Sequence, residues 1–251
     1  MKFDKVITRA ILPSRTQILD KSEHEHYRSR VRALWNAPSD RFPGAHPTGL
    51  TRQNLPLLCT APYVAALKTD GVRFMLLLTQ RPDGEPIALM IDRGWRMYEV
   101  CVWASVAFFK GTLLDGELVL NESPSAASLH FLVFDVVCVS ANHVAHRSFG
   151  ERLQIIHDVL FVPWKALSDL EKEQHVRDER KVWMQQSDIC MMPKTCVPIR
   201  NVRELWADRS ASSYAYDGLL FTRTDVRMPM GRTAHMLKWK YIHTIDIILR
   251  A

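Results

Sequence analysis

The chain contains 251 residues, of which 47% are hydrophobic and 24% are charged, proportions close to those of soluble globular proteins. This composition excludes a disordered chain, a collagen-like repeat and a disulfide-stabilised miniprotein, and the length suffices to bury a large core. The formal net charge of +6 is mildly basic, which suits a polyanionic ligand without requiring nucleic acid.

The cysteines predict a reducing environment. The five are dispersed and form no CxxC pair, which argues against a disulfide framework or a zinc site. The N-terminal segment MKFDKVITRAILPSR lacks the apolar region of a signal peptide. The longest apolar run, around Val100 to Phe109, is far shorter than the roughly 18 residues needed to cross a bilayer. We therefore expect an intracellular protein with no membrane partner.

The elements in chain order predict an α+β fold. Residues 1–36 are predicted to form helical pieces, and the Pro- and Gly-rich stretch 36–49 an ordered loop. Helices are also predicted after the capping box that starts at Ser148, over the highly charged stretch 169–186, and at 202–208. Apolar runs and turn signals predict strands at 72–79, 87–91, 112–120, 129–139, 216–223, 235–239 and 244–249. Because strands outnumber helices without regular alternation, the sheets should be largely antiparallel.

Two motifs place charged side chains at strand edges. In KTDGVR, residues 68–73, an Asp-Gly turn holds the Lys68 amine at the end of a strand. An exposed lysine on a surface turn is an equally good interpretation of these residues alone. In LDGEL, residues 114–118, strand alternation puts Asp115 and Glu117 on one face. That pattern is typical of cation or sugar-hydroxyl binding, and an exposed sheet face is the alternative.

Three later motifs also combine charge with apolar strands. In FLVFD, residues 131–135, the acid must be hydrogen-bonded if it is buried, and Phe134 taken alone is predicted to be a core residue. YDGLLF, residues 216–221, leads an acid and a glycine into an apolar strand. In LKWK, Lys238 and Lys240 share a strand face. This is consistent with a shared anion such as a phosphate, although lysines also protect edge strands.

The order of these motifs is more specific than any one of them. The series KTDGVR, GTLLDGEL, FLVFDVV, YDGLLF and LKWK resembles that of the covalent nucleotidyltransferases, which include polynucleotide ligases and mRNA capping guanylyltransferases. Further stretches resemble the capping branch, namely RFPGAHP at 41–47, RQNL at 52–55, MIDR at 90–93 with Tyr98, MPK at 192–194 and TID at 244–246. The resemblance runs from Arg41 to Leu249.

The resemblance implies an mRNA guanylyltransferase. Lys68 would attack the α-phosphate of GTP and release pyrophosphate, and the lysyl-GMP would pass GMP to the 5′-diphosphate end of an RNA. A free lysine is protonated at neutral pH. Lys238, Lys240 and a bound ion would favour the neutral nucleophile by charge repulsion. Mg²⁺ or Mn²⁺ is the implied cofactor, and Asp217 is its candidate ligand.

The resemblance also assigns each remaining nucleotide contact to a residue. Arg73 and Glu117 would contact the ribose hydroxyls of GTP. The phosphates would be contacted by Arg93, Lys238 and Lys240, and the base by Phe134, Thr69 and Lys194. Phe134 would stack on the base. Thr69 and Lys194 would reach guanine O6, an acceptor that adenine lacks, and GTP is therefore favoured over ATP.

The predicted organisation is a helical segment at 1–40, packed on a nucleotidyltransferase domain at 41–251 of antiparallel β-sheets flanked by helices. The family normally carries a C-terminal OB-fold domain, and we expect this chain to lack it, since LKWK lies near its end. With no triphosphatase signature visible, the implied partners are 5′-diphosphate RNA and a separate RNA triphosphatase, cap methyltransferase or OB-fold domain. The implied location is the nucleus, or a cytoplasmic factory or virion for a viral source.

Two other functions remain open at this point. An ATP-dependent RNA or DNA ligase would share the motif series and differ in the base that it selects. A catalytically idle RNA-binding module would fit the expected lack of an OB-fold domain, although the intact Lys68, Glu117, Asp217, Lys238 and Lys240 argue against it. Labelling with each of the four nucleoside triphosphates would discriminate among the three.

Overall fold

The structure is a computed structural model that describes residues 17–18, 20–37, 41–102, 104–121, 128–161, 182–183 and 189–241. Two large sheets dominate this part of the chain. The predicted strand at 244–249 and most of the predicted helix at 169–186 lie outside the described residues. Residues 182–183, inside that predicted helix, instead form a short strand.

The larger sheet has seven strands, in the order β11-β8-β7-β3-β4-β5 with β9 paired to β8. Its strands are β3 (Val72–Gln80), β4 (Pro86–Asp92), β5 (Met97–Glu99), β7 (Thr112–Asn121), β8 (Ser128–Val139), β9 (Asn142–His143) and β11 (Cys190–Pro193). All pairs are antiparallel except β11 with β8. The predicted strands 72–79 and 87–91 correspond to β3 and β4, which pair as a hairpin.

The second sheet has five strands, in the order β1-β14-β13-β2-β12. They are β1 (Ala45–Gly49), β2 (Tyr63–Thr69), β12 (Val197–Pro198), β13 (Tyr216–Arg223) and β14 (Gly231–Lys240). The prediction of a loop over 36–49 is wrong at its C-terminal end, because β1 pairs in parallel with β14. Pro47 is tolerated there since β1 is an edge strand, where a missing N–H breaks no ladder.

Helices cover the sheets and connect them. They are α1 (Lys21–Trp35), α2 (Leu57–Thr60), α3 (Phe149–Ile155) and α4 (Val202–Ala207). Two further short strands, β6 (Ala104–Ser105) and β10 (Val182–Trp183), pair with each other. The predicted capping box is confirmed: the Ser148 hydroxyl accepts from the Glu151 N–H, and the Glu151 carboxylate accepts from the Ser148 N–H at 2.8 Å. The antiparallel α+β architecture is therefore as predicted.

Strand β3 is the centre of the core because both of its faces are buried. Met75 and Leu77 pack on one side with three residues of helix α1, namely Tyr27, Val31 and Trp35. Phe74, Leu76 and Leu78 pack on the other side with Phe109 and Phe131. This two-sided burial explains the near-continuous apolar run VRFMLLLT. Through these contacts α1 packs on the larger sheet. The domain boundary at residue 40 stays a prediction.

A buried ion pair ties α3 to β8. The Arg152 guanidinium is 1% exposed and donates to both carboxylate oxygens of Asp135, at 2.7 and 2.9 Å. A third bond runs to the Arg147 carbonyl at 2.6 Å. This pairing satisfies the acid that interrupts the apolar run FLVFDVV, as the cost of burying a lone charge requires.

Within the described residues, no helix is long and apolar enough to span a bilayer.

The close contact between β13 and β14 at Gly218 predicts that adding one methyl group there destabilises the fold. A Cβ on Gly218 would collide with the Trp239 carbonyl oxygen and lie 2.9 Å from the Lys240 Cα. We expect Gly218→Ala to lower the free energy of unfolding by about 2 kcal/mol or more, because rigid backbone must move. Urea unfolding measures this loss.

Gly49→Ala is the matched control. Gly49 also lies in the five-stranded sheet, but a Cβ there would meet no atom within 4 Å. It should change the free energy of unfolding by less than about 0.5 kcal/mol, in either direction. A similar loss from both variants would contradict the proposed collision.

Candidate active site

The five sequence motifs meet in the cleft between the two large sheets. The five-stranded sheet contributes the end of β2 and the strands β13 and β14, and the seven-stranded sheet contributes β3, β7 and β8. A cavity in this cleft is lined from both sides, by Val64, Ala66, Leu220, Thr222 and Met236 of one sheet and by Phe134, Asp135, Phe149, Lys194 and Cys196 across from them.

Strand register places Asp217 between two lysines. Strand β13 lies between β2 and β14, and Gly218 is opposite Lys68 on one side and Lys240 on the other. A bulge between Tyr216 and Gly218 breaks the β2 ladder at Asp217. One Asp217 oxygen accepts from the Lys68 Nζ at 2.6 Å, and the other lies 2.6 Å from the Lys240 Nζ.

The Asp217 carboxylate is thereby kept ionised. Burial opposes its charge, but the hydrogen bonds from Lys240 and Lys68, and their positive charges, outweigh burial and lower the pKa of Asp217. The three side chains are 24% to 32% exposed, so that a ligand can reach them. A simple surface turn does not describe Lys68, since its ammonium is held in place by an ion pair.

A second polar cluster joins β2, β7 and the segment after β11. The Lys194 Nζ lies 2.7 Å from the Thr69 hydroxyl and 3.1 Å from a Glu117 carboxylate oxygen, and Thr69 donates to the same oxygen. Lys194 extends the β11–β8 pairing, because its N–H donates to the Val133 carbonyl at 2.8 Å. The base-side and ribose-side residues of the predicted set therefore contact each other directly.

Arg73 is held in place by hydrogen bonds within the protein. Its guanidinium donates to both oxygens of Asp115, one at 2.9 Å, and to the Ala45 carbonyl. Burial alone would lower the pKa of Arg73, but Asp115 raises it above its usual value. The guanidinium lies between the rings of Phe42 and Phe134, 5.6 and 5.4 Å from their centroids. Its contact with a ribose stays a prediction.

Phe134 is not the core residue that its local sequence suggests. It is half-buried and lines the cleft cavity together with Leu220 and Cys196. The cavity holds about 20 Å³, room for about one water molecule, so a purine base must widen the cleft to enter. Burial raises the pKa of the Cys196 thiol to about 11, which leaves it protonated and apolar in character.

Leu220 is a site residue that the motif argument missed. It lies in β13 between Leu219 and Phe221, which both belong to the apolar cluster on the opposite face of the sheet. Strand alternation from these two buried neighbours would have assigned Leu220 to the cleft face. It faces the cavity that Phe134 also lines, so the cavity has an apolar wall on each side.

Three of the predicted phosphate- and ribose-side cations act on the pKa of His46 in β1. Burial lowers the pKa of His46, and the charges of Arg73, Arg93 and Lys238 lower it further, whereas Asp115 opposes them. The imidazole is therefore neutral at physiological pH. His46 belongs to the stretch RFPGAHP, but the sequence alone predicts no role for it. The position of His46 in the fold follows only from the pairing of β1 with β14.

Nine of the ten predicted residues thus fall in one cleft, as two ion-paired clusters, one buried arginine against Phe134, and Lys238 two residues before Lys240 on β14. The tenth, Arg93, lies in the turn between β4 and β5. All of them come from the motifs named in the sequence. Their individual roles toward a nucleotide stay predictions.

Comparisons with known proteins point to one family. Similar chains include the mRNA-capping enzyme subunit alpha of Neurospora crassa, 28% identical over 237 residues, and that of Schizosaccharomyces pombe, 28% identical over 236 residues. Each alignment covers 89% of this chain and 57% of the relative. The mRNA-capping enzyme of Mus musculus is 29% identical over 229 residues, which are 83% of this chain and 34% of that protein.

This chain therefore spans little more than half the length of the fungal relatives that it matches. The sequence profile described as "mRNA capping enzyme, catalytic domain" matches residues 9–242, a range that contains every residue of the cleft described above. With nearly the whole chain inside that match, the protein belongs to the family of mRNA capping enzyme catalytic domains.

Proposed function

We propose that this chain is an mRNA guanylyltransferase, which transfers GMP from GTP to the 5′-diphosphate end of RNA through a lysyl-GMP intermediate. The observation that carries the proposal is the Lys68–Asp217–Lys240 arrangement beside a cavity with apolar walls and a lysine at its edge. Membership of the capping enzyme family supports it.

The nucleophile must lose a proton before it reacts. The Lys68 ammonium donates to Asp217 at 2.6 Å and has no lone pair while it is protonated. A triphosphate arriving beside Lys240 offers that second lysine a new anion, so the two lysines no longer share one carboxylate. The positive charges of Lys240 and Lys238 disfavour the ammonium form of Lys68, so its proton passes to solvent water, and the two neighbouring lysines remain as positive charges facing the α-phosphate.

The bonds of both steps balance on this lysine. In the first step the Lys68 nitrogen forms a bond to the α-phosphorus, and the bond from that phosphorus to the pyrophosphate oxygen breaks. In the second step an oxygen of the RNA 5′-diphosphate attacks the same phosphorus, the P–N bond breaks, and Lys68 regains a proton. The cations of the cleft stabilise the negative charge of both transition states.

Selection of guanine rests on the Thr69–Lys194 pair. The Lys194 ammonium is a donor only and cannot accept from the amino group of adenine. Guanine presents the O6 acceptor at the same position. Phe134 and Leu220 provide apolar surfaces for the two faces of the base, so the base would enter between them with its O6 edge toward Lys194.

The residues present fit the divalent ion that the family implies. Asp217 is a half-buried carboxylate beside the position of the triphosphate, and Mg²⁺ in nucleotide sites takes one or two carboxylates and completes its shell with phosphates and water. Among the described residues, no three His, Cys, Asp or Glu side chains cluster as a self-contained metal cage. Asp217 would hold Mg²⁺ or Mn²⁺, which when bound neutralises phosphate charge.

The remaining elements of the proposal concern partners and location. The diphosphate end of the RNA requires a triphosphatase, and the finished cap is the substrate of a methyltransferase. An OB-fold domain that closes over GTP completes the set, and the nucleus, or a cytoplasmic factory or virion for a viral source, is the proposed location. These elements rest on the family resemblance alone.

Lys68→Ala should abolish covalent labelling by α-labelled GTP, and Lys68→Arg should do the same because a guanidinium stays protonated. The wild-type adduct should be a phosphoramidate, labile to acid and stable to alkali. Label is read on the denatured protein. Lys110→Ala, which removes an exposed lysine outside the cleft, is the control and should label normally. Undiminished labelling of Lys68→Ala would refute the assignment of the nucleophile.

Replacing Lys194 should relax the choice of base. A site that hydrogen-bonds a polar group can reject an analogue lacking it by about 10⁴, so the wild type should label with GTP far more readily than with ATP. Lys194→Ala and the near-isosteric Thr69→Val should each narrow that ratio by about tenfold or more, measured as kcat/KM for adduct formation. Equal labelling of the wild type by ATP would instead support the ligase alternative.

A further inference from the structure

Four ring contacts run in series from helix α1 to the cleft. The Arg28 guanidinium of α1 lies 5.1 Å from the centroid of the Trp95 ring, and Trp95 meets Phe42 edge to face at 6.3 Å. Arg73 then lies between Phe42 and Phe134 at 5.6 and 5.4 Å. We call these five side chains the stack. A cation over an aromatic face is attracted by the ring electrons. Each of the three arginine–ring contacts in the stack is therefore attractive.

Trp95 is the residue of the stack with an unfavourable backbone. Its φ is +61°, in the left-handed region that large side chains avoid, and its side chain is buried. Residues persist in that region only where the surroundings hold them, and such positions cluster at ligand-binding segments. Here His24 of α1 donates to the Trp95 carbonyl at 2.6 Å, so helix α1 holds both the ring and the backbone of Trp95.

Trp95 lies in the tight turn that joins β4 to β5. The Asp92 carboxylate accepts from the N–H groups of Gly94 and Arg96, at 2.8 and 2.9 Å, and the Trp95 N–H donates to the Asp92 carbonyl at 3.0 Å. Arg93 belongs to the same turn and is exposed. It lies two residues from Trp95, directly after Asp92, so the backbone of Trp95 and the hydrogen bonds of Asp92 set the direction in which Arg93 leaves the turn.

The geometry points to Trp95 as a positioning residue for nucleotide binding. Anchored by helix α1, it fixes the turn that presents Arg93, and through Phe42 and Arg73 it supports the Phe134 ring. This inference rests on the proposed function, since the phosphate contact of Arg93 and the base contact of Phe134 belong to it. Helix α1 contributes no motif residue, yet it is part of the nucleotide-binding unit.

Binding and chemistry are to be measured separately. GTP affinity is obtained by calorimetry without divalent ions, so that no adduct forms, and lysyl-GMP formation is followed with Mg²⁺. Trp95→Asn removes the ring and introduces a residue that tolerates the left-handed region. It should weaken GTP binding and raise KM by about tenfold, while kcat changes by less than about twofold, because couplings between contacting residues have this size. Trp95→Phe retains an aromatic ring and should restore most of the affinity.

A double-variant cycle with Arg93→Ala separates positioning from a general loss of structure. Because part of the effect of Trp95 runs through the Arg93 turn, the loss of GTP affinity in the double variant should be smaller than the product of the two single losses. Losses that multiply in the double variant would overturn the inference. So would wild-type affinity in Trp95→Asn.

Two arginines of helix α1 provide a matched pair. Arg28→Ala removes the contact with Trp95 and should weaken GTP binding by about threefold, within the range of a single cation–π contact. Arg30→Ala removes the same charge from the same helix, but Arg30 donates to the Thr79 hydroxyl at 2.9 Å and the Lys110 carbonyl at 3.1 Å, and its loss should leave GTP affinity unchanged. Equal effects of the two variants would indicate loosening of the helix and overturn the inference.

The outcomes also separate the two proposals. A wild-type chain that binds GTP but forms no lysyl-GMP would refute the proposed function alone, and the binding cycle would still decide the role of Trp95. If Trp95→Asn lacks a cooperative thermal transition by circular dichroism, Trp95→Phe and the Arg28–Arg30 pair decide it instead.

Discussion

The site depends on the register of one strand. Strand β13 lies between β2 and β14, so a single position, Gly218, is paired with Lys68 on one side and Lys240 on the other. The bulge that precedes it directs the Asp217 carboxylate to both ammonium groups. A shift of β13 by one residue would exchange its two faces and send Asp217 and Leu220 to the opposite side of the sheet. The geometry of the candidate site is therefore set by the register of the sheet.

The two sheets are joined at the cleft by polar contacts as well as by apolar packing. Thr69 of the five-stranded sheet bonds with Glu117 and Lys194 on the side of the seven-stranded sheet, and Arg73 reaches from β3 to the Ala45 carbonyl of β1. Such contacts are directional, whereas apolar packing is not. They fix how far apart the two walls of the cavity stand, and they must adjust when a base widens it.

The positions of the motif residues on their strands can be predicted from the sequence because each motif is local. Lys68 and the two lysines of β14 are fixed relative to their own strands by alternation and by a Gly-containing turn, so a short window defines them. The direction of Asp217 depends instead on the bulge opposite β2. The strands themselves were found for the same reason, since β3, β7, β8 and β13 each contain a local apolar segment. Only the motif order, and not any single window, indicated that these strands surround one cleft.

What the sequence did not predict depends on contacts between distant segments. Strand β1 was missed because its five residues include a proline and a glycine, and its strand character comes from pairing with β14, 186 residues away at Ala45 and Gly231. His46 and Trp95 were missed for the same reason. The role of Trp95 appears only when helix α1, the β4–β5 turn and the segment before β1 are brought together.

In the free protein, charged side chains of the cleft form ion pairs with one another. Lys68 and Lys240 pair with Asp217, Lys194 pairs with Glu117, and Arg73 pairs with Asp115. Under the proposed function, a nucleotide must replace contacts that already exist, so its net affinity is smaller than a count of its own hydrogen bonds suggests. Discrimination does not suffer in the same way. A wrong base that displaces Lys194 from Glu117 without accepting its hydrogen bond leaves a nearly buried ammonium and a carboxylate both unpaired, a cost that the correct base avoids. Internal pairing thus lowers affinity for every nucleotide and preserves the difference between them.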